Sequence, residues 1–404
     1  MENIDATPNF DLDLTKPEPV PQQGVDRATE LMNTGRLFRY GETVPGELSD
    51  ASLLEQRFAD LLGRKFAVGV NSCGAALFLA LKSSGVRAGD KVLVNGYTLA
   101  PVPGAIDHAG ALPVIVEVND NCTIDVADLK HKALASGART LLLSHMRGHI
   151  SDMDEVVRIC ADLGIALIED CAHTLGASWD GKPTGTFGKA ACFSLQTFKH
   201  INSGEGGIIV TDDEDLAARA ILYSGSYMLY TQHGARPPES VFENLRGNIP
   251  NYSLRMTALA AALALPQLDL LPERAERMNA SYQCLAGLLG AIEGVQLIER
   301  ALKEQFIGSS LQFRLPGLRG EQIAEFVAIC HEHGLGLKWF GQPRMEGFTS
   351  RPSQWEYVAD SADLPRTEAL LSTLCDVRIP PAMNEHYCHQ AAEVISHALQ
   401  IIAP

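Results

Sequence analysis

Between residues 66 and 212 the chain repeats one pattern: a short, almost wholly apolar run, a stretch of helical period, then another apolar run. The apolar runs are "FAVGV", "KVLVNGY", "ALPVIVEV", "RTLLLSH", "IALIED", "AACFSL" and "GGIIVTD". Strands without polar alternation need cover on both faces, and the helical stretches between them supply it. The pattern therefore predicts an α/β fold with a mostly parallel seven-stranded sheet. It also predicts where chemistry would sit, because open α/β sheets bind ligands beyond the carboxyl ends of their strands.

The flanks differ from this repeat. Residues 1–48 are polar and rich in proline and are expected to form an extended N-terminal arm ending in the mixed segment "RATELMNTGRLFRYGE". Residues 49–289 hold the repeat and a helical stretch from Thr257 interrupted by Pro266 and Pro272, and are expected to form a large domain. Residues 290–404 mix "GVQLIE" and "LQFRLPG" with the helix-like "EQIAEFVAICHEHG" and "NEHYCHQAAEVISHAL", the composition of a smaller α+β domain.

Charge and cysteine usage narrow the partners. With 33 basic against 49 acidic side chains, the formal charge of -16 repels nucleic acid and anionic lipid, which leaves small molecules. The nine cysteines include no C-x-x-C pair, and several fall in apolar runs, so they read as reduced, buried thiols of a cytoplasmic protein. The start "MENIDATPNFDLDLTKPEPVPQQG" lacks the basic opening and apolar stretch of a secretion signal. No apolar run reaches the length that crosses a bilayer.

Three strand ends carry candidate chemistry. "IALIEDCAH" closes an apolar strand with Glu169 and Asp170, and a carboxylate there is costly to desolvate unless a cation or hydrogen-bond donor meets it. Asp170 could equally cap the following turn. In "GVNSCGAALFLAL" a strand yields to Asn71, Ser72, Cys73 and Gly74 and then to a helix, whose free N–H groups and dipole suit a phosphate; Ser72 or Asn71 could equally be an ordinary helix cap. In "SLQTFKHINSGEGGIIVTDD" Lys199 lies on a loop between two strands, five residues after Ser194. A loop lysine alone is usually solvated. Together, however, an amine, a carboxylate and a phosphate cradle match the three attachments of pyridoxal phosphate: Lys199 to the aldehyde as an imine, Asp170 to the ring nitrogen, Ser194 adding a hydroxyl at the phosphate.

The ordered segments "GVNSCGAAL", "IEDCAHTLGA", "FSLQTFKHINSGEGGIIVTDD" and "NYSLRMTALAAAL" resemble the DegT/DnrJ-type aminotransferases, which use pyridoxal phosphate to make amino sugars and aminocyclitols. The resemblance extends through "GRLFRYGETVPGELSDASLLEQRFADLLGRKFAVG" and "GHISDMDEVVRICADLGIALIED" and is looser beyond residue 290. It implies the aspartate-aminotransferase-like fold, fold-type I of the pyridoxal phosphate enzymes. It implies Lys199 as the lysine holding the cofactor, Asp170 on the ring nitrogen, Ser194 on the phosphate and His173 near the ring oxygen. Cys73 and Gly74 fall where the family has glycine and threonine in its phosphate loop, so Ser72 or backbone N–H groups must replace a missing hydroxyl. Leu99 stands where an aromatic ring commonly stacks on the cofactor, with Tyr97 as the substitute if the turn is shifted. Ser253 occupies the slot of an asparagine that reaches the neighbouring subunit's phosphate, and Asn251 lies two residues away.

The resemblance implies a homodimer with active sites between subunits, glutamate or glutamine as amino donor, and a keto sugar or keto cyclitol as acceptor. Other reactions on the same cofactor (dehydration, elimination, cyclisation) and a non-catalytic regulator are the alternatives. Some dehydrating relatives replace the lysine by histidine; here Lys199 is present, with His200 beside it, which favours transamination. Further polar groups read as follows. Gly204, Gly206 and Gly207 supply positive φ or close backbone approach, and Glu205 sits on that turn. His389, Glu393 and His397 share a helical face and read as solvated, as does "HEH" at 331–333, so no metal site is expected. Arg147 and His149 either touch substrate or bind surface carboxylates. Lys338 and Trp339 lie either at the active site or as a surface lysine beside a buried ring.

Overall fold

Each of the seven apolar runs forms a strand. They are β1 (Phe66–Val70), β2 (Lys91–Asn95), β3 (Leu112–Val116), β4 (Thr140–Ser144) and β5 (Ala166–Asp170), then, after a ribbon of β6 (Ser178–Trp179) and β7 (Lys182–Pro183), β8 (Ala190–Ser194) and β9 (Gly207–Thr211). The computed structural model describes residues 8–41, 48–347, 349–358 and 364–402. The strands form one seven-stranded sheet in the order β1-β9-β8-β5-β4-β2-β3. Only β9 runs against the others, pairing antiparallel with β1 and β8; the remaining neighbours pair in parallel.

The pleat distributes side chains between two apolar layers. Val92, Val94, Leu142 and Ile168 pack with the helix Cys73–Ser83, whereas Leu93, Leu141, Leu143 and Leu167 pack with the helix Met153–Leu163. Alternation then separates the acidic pair at the end of β5: Asp170 shares the side of Ile168, and Glu169 the side of Leu167. The same parity puts Ser144 and Ser194 on the side of Asp170.

The chain then forms β10 (Gln296–Leu297), β11 (Glu304–Gln305), β12 (Ser310–Arg314), β13 (Leu337–Trp339) and β14 (Leu374–Arg378). Strand β11 joins the β6–β7 ribbon, and the rest form a four-stranded antiparallel sheet in the order β10-β12-β14-β13. Leu311, Phe313, Leu337, Trp339, Cys375 and Val377 pack against the helices Gly320–Glu332 and Glu385–Ile402. Alternation therefore turns Gln312, Lys338, Asp376 and Arg378 to the opposite face. The helix Leu271–Leu289 links the two layers, burying Leu271 with the large sheet and Leu285 and Leu289 with the small one.

The expectation of an extended arm over residues 1–48 needs correction. Gln22–Thr34 is an α-helix, with Leu31 packed on Ala258 and Ala262. That segment contains no proline, and docking of an apolar stripe stabilises a helix whose length alone would leave it marginal. The chain before it is held rather than free: Phe10 and Leu14 are buried in the small-sheet core, and Glu18 pairs with Arg274 at 3.0 Å. The parts of the arm at residues 1–7 and 42–47 lie outside the described residues. Among the described residues no helix is long and apolar enough to cross a membrane. All nine cysteines are free thiols.

Candidate active site

Registry brings the three strand ends together. Ser144 lies opposite Asp170, Ser194 opposite Gly207, and Gly207 opposite Val70, which leads into the helix Cys73–Ser83. A cavity of about 330 Å³ opens at this rim, and all eight residues singled out in the sequence line it. Ser72, Cys73 and Gly74 lie at the helix start, Asp170, His173 and Ser194 at the sheet, and Leu99 and Lys199 on loops.

Neighbouring Glu169 and Asp170 have different duties. Glu169 accepts backbone N–H bonds from Gly185 (2.9 Å), Phe187 (2.8 Å) and Gly188 (2.8 Å) and lies 3.4 Å from His145 Nε2. Burial alone would raise its pKa; His145 and these N–H donors override burial and hold it below the usual value. It pins a loop. Asp170 faces the cavity: its Oδ2 accepts from Ser144 Oγ at 2.8 Å, and its Oδ1 from the Ala172 N–H at 3.1 Å. The turn-capping and site-facing readings are thus both realised, one per oxygen. Burial raises the Asp170 pKa against the pull of Ser144, Ala172 and Lys199. A cation brought to this carboxylate would relieve that cost.

Asp170 is positioned by residues the sequence reading did not single out. Thr98 Oγ1 donates to Ser144 Oγ at 2.8 Å, and Asn95 ties the Ser144 backbone with bonds of 2.9 and 3.1 Å. The available signal was position, since Asn95 and Ser144 both end apolar strands.

Lys199 sits in the loop between β8 and β9. Gln267 clamps that loop on both backbone groups of Asn202 (2.6 and 3.0 Å), and Arg274 holds the His200 carbonyl at 3.1 Å. The Lys199 Nζ lies 2.9 Å from His173 Nε2. Burial, then the Arg147 guanidinium, bring the amine down to about 8. Burial, then Lys199, push His173 well below its usual value, so it stands as a neutral imidazole beside the amine. His200 does not line the cavity, and burial brings it to about 4.

At the other end of the cavity, Ser72 is the helix cap, accepting from the Ala75 N–H at 3.1 Å. Its hydroxyl proton stays available to a ligand, as does that of Ser194, whose oxygen accepts from Gln196 N at 3.3 Å. A Cβ on Gly207 would stand 2.3 Å from the Ser72 carbonyl oxygen, so close backbone approach fixes glycine there. Of the three turn glycines only Gly204 has a positive φ, 80°. Glu205 reaches the cavity rim. Leu99 lines the cavity, whereas Tyr97 is buried edge-on against Phe340, with ring centroids 5.1 Å apart. Asn251 Oδ1 accepts from the Ser253 N–H at 2.8 Å, and the Asn251 amide nitrogen is buried without a partner.

The remaining candidates separate clearly. His149 is buried against Gln312 Oε1 at 2.7 Å, while Arg147 reaches a second chamber contiguous with the first. Trp339 is buried and donates to the Ser372 carbonyl at 2.8 Å; Lys338 lines the second chamber. His389 and Glu393 are exposed. In "HEH", His331 and Glu332 are exposed, and only His333 is half-buried; His331 Nε2 lies 2.8 Å from the Leu337 carbonyl oxygen, and His333 Nδ1 lies 2.7 Å from that of Pro8. His145, Glu169 and Cys171 have ligand atoms within 4.8 Å of one another, but the carboxylate oxygens of Glu169 already take three N–H groups.

A lysine on a sheet-rim loop, a carboxylate at the end of a parallel strand and a capped helix start beside them, all on this sheet, define fold-type I of the pyridoxal phosphate enzymes. The chain belongs to the DegT/DnrJ/EryC1/StrS aminotransferase family, whose profile matches residues 23–396 and whose members depend on pyridoxal phosphate. It is 33% identical over 274 residues to the spore coat polysaccharide biosynthesis protein SpsC of Bacillus subtilis (strain 168), a match covering 65% of this chain and 66% of that protein, just under two thirds. It is 31% identical over 392 residues to 3-amino-5-hydroxybenzoate synthase of Amycolatopsis mediterranei (strain S699), covering 94% of each. The crystal structure of a 3-amino-5-hydroxybenzoic acid synthase matches with a TM-score of 0.80 at 25% identity, covering 98% of this chain and 100% of that one. The donor set fits the cofactor: an amine, a carboxylate made costly by burial, and two hydroxyls beside a helix start where Gly207 leaves room.

Proposed function

We propose that this chain is a pyridoxal phosphate-dependent aminotransferase moving an amino group from glutamate or glutamine to a keto sugar or keto cyclitol. The carrying observation is that Lys199, with its amine brought to about 8, shares one cavity with a buried Asp170 oriented by Ser144. The names of the relatives support an acceptor of this general kind.

When bound, pyridoxal phosphate supplies an aldehyde that captures amines and a ring that stabilises negative charge on the adjacent carbon. The chain's own residues divide the remaining work. Lys199 would hold the cofactor covalently, and its free amine would serve as the base for the donor's α-proton. A pKa near 8 keeps a useful fraction of that amine unprotonated. His173, neutral and 2.9 Å from the amine, orients it and would meet the ring oxygen. Asp170 would hold a proton on the ring nitrogen. Ser72, Ser194 and the N–H groups of Cys73 and Gly74 would hold the phosphate, and Leu99 would cover the ring.

The reading extends to assembly and organisation. A homodimer with active sites between subunits is expected, supported by family membership and by the unpartnered amide of Asn251. Residues 49–289 would form the cofactor-binding domain and 290–404 the smaller one; nine free thiols support a cytoplasmic location. The test is direct. The purified protein should be yellow, glutamate should bleach it, and Lys199→Ala should lose both the colour and about 10⁴-fold or more in turnover. Normal turnover in that variant would refute the assignment.

A further inference from the structure

The loop that carries Lys199 is placed by tethers more than by packing. A small cavity of about 40 Å³ lies between Lys199, His200 and Asn202 of the loop and Lys16 and Glu18 of the N-terminal arm, and it shares only Lys199 with the cofactor cavity. Where no protein atom meets a segment, packing cannot fix it. Within the loop the Lys199 N–H donates to the Gln196 carbonyl at 2.8 Å and the Thr197 N–H to that of Gly204 at 3.0 Å, which sets its shape. Its place depends on Ile201, buried in the large-sheet core, and on hydrogen bonds to its backbone from Gln267 and Arg274.

Arg274 is in turn aimed from the arm. It is buried on the helix Leu271–Leu289, where its Nη1 reaches the His200 carbonyl at 3.1 Å and Gln267 Oε1 at 3.0 Å, while its Nε donates to Glu18 Oε2 at 3.0 Å. Among the described residues Glu18 is its only ion-pair partner. A buried guanidinium without a carboxylate would be drawn towards water and away from the loop. The arm holds that carboxylate still. Pro17 and Pro19 flank Glu18 and narrow its backbone freedom, Leu14 is buried in the small-sheet core on one side, and the helix Gln22–Thr34 is docked on the other. Glu18 Oε1 also takes Arg277 at 2.8 Å, an exposed group whose other partners are Glu273 and the Pro381 carbonyl.

We propose that Glu18 is a positioning residue for Lys199: through Arg274 and the His200 carbonyl, the N-terminal arm sets where the amine stands and so how readily it captures the cofactor's aldehyde. The consequence rests on the reading of Lys199 as the residue that holds the cofactor. Capture joins the lysine nitrogen to the aldehyde carbon and releases the aldehyde oxygen, with two protons of the amine, as water. The geometry is exacting, since a misplacement of about 1 Å can cost about 10²-fold. Without Glu18 the tether on His200 slackens, and the loop can settle towards the small cavity. The groups expected on the ring nitrogen and the phosphate, Asp170, Ser72 and Ser194, lie on other elements and stay in place.

Two ligands that differ only at the aldehyde test this on the whole chain freed of cofactor: pyridoxal 5′-phosphate, and 4-deoxypyridoxine 5′-phosphate, which carries a methyl group there. Calorimetric titration of the parent protein should show the aldehyde binding at least about tenfold more tightly. Glu18→Gln, nearly isosteric and at a half-buried site, should shrink that ratio at least about fivefold and leave the affinity for the methyl analogue within about twofold. Arg277→Gln leaves Arg274 and Glu18 paired and should keep the parent ratio. An unchanged ratio in Glu18→Gln, or an equal weakening of both ligands, overturns the positioning role, since a merely structural lesion acts on both alike. A ratio that falls as far in Arg277→Gln as in Glu18→Gln also overturns it, because the arm would then act without Arg274. Equal affinity of the two ligands in the parent protein counts against capture by Lys199 itself, and the proposal falls with it.

Discussion

The wall formed by the ends of the large sheet and the wall formed by the small sheet hold their polar groups differently. On the first, Asp170 takes a hydroxyl and an N–H, and Ser72 and Ser194 each take an N–H from a few residues away. On the second, Arg147 is half-satisfied and strained, and Lys338 and Arg378 lack ion pairs among the described residues. A satisfied, rigid wall suits a resident cofactor, because donors fixed in advance need no reorganisation during reaction. An under-satisfied wall suits a ligand that comes and goes, since its charges gain most when the visitor arrives. The same chamber thus separates a permanent tenant from a transient one.

The largest expected effect tests the first wall. Asp170→Asn preserves shape but removes the charge that would keep the ring nitrogen protonated, and should lower amino transfer by about 10³-fold. Activity within tenfold of the parent protein, in a steady-state assay with glutamate, would break the contrast by making that wall mere scaffold. Its chain neighbour gives the control. Glu169→Ala strands three backbone N–H groups and should lower unfolding free energy by at least about 3 kcal/mol, read from urea denaturation. Unchanged stability would mean that the two carboxylates are not divided between chemistry and support as their partners indicate.

The two walls were also unequally legible in the sequence. All seven strands were readable, because strand-length apolar runs report locally on their own geometry; the eight residues singled out in the sequence, some at strand ends and some by family resemblance, line one cavity. The extended arm was misread at residues 22–34, since only contact with Ala258 and Ala262 explains why that segment is helical. Ser144 was missed because its importance depends on the strand beside it. Arg147 and Lys338 were read with two alternatives left open, and Arg378 was missed, for the same reason. Their meeting depends on how a loop of the large sheet and the face of a second sheet are packed, and alternation within one strand cannot state which face a distant arginine will meet.

The walls communicate through charge, and pH reads that link. The free Lys199 amine, held near 8 by burial and Arg147, acts only when unprotonated. The rate of bleaching by glutamate should therefore climb about ninefold from pH 6 to 7, about fivefold from 7 to 8, and level off above about 9. Arg147→Gln removes a cation that disfavours the ammonium form, so the rise should move to higher pH in stopped-flow measurements. An unmoved profile would mean that the second wall does not tune the first.

The smallest effect concerns the one cofactor-side residue without an aromatic ring where relatives commonly have one. Leu99 borders both chambers and packs beside the Tyr97–Phe340 cluster, so its side chain already has an apolar backing. Leu99→Phe would add stacking worth about 0.5 to 1.5 kcal/mol, which corresponds to cofactor loss on dialysis slowed by about two- to tenfold. The larger ring also enters the shared boundary, where it narrows the path to Arg147 and Lys338. Slower cofactor loss accompanied by a higher KM for the acceptor would show one residue trading retention against entry. Faster cofactor loss would show instead that the backing cannot yield, and that leucine at 99 is a packing requirement of the first wall.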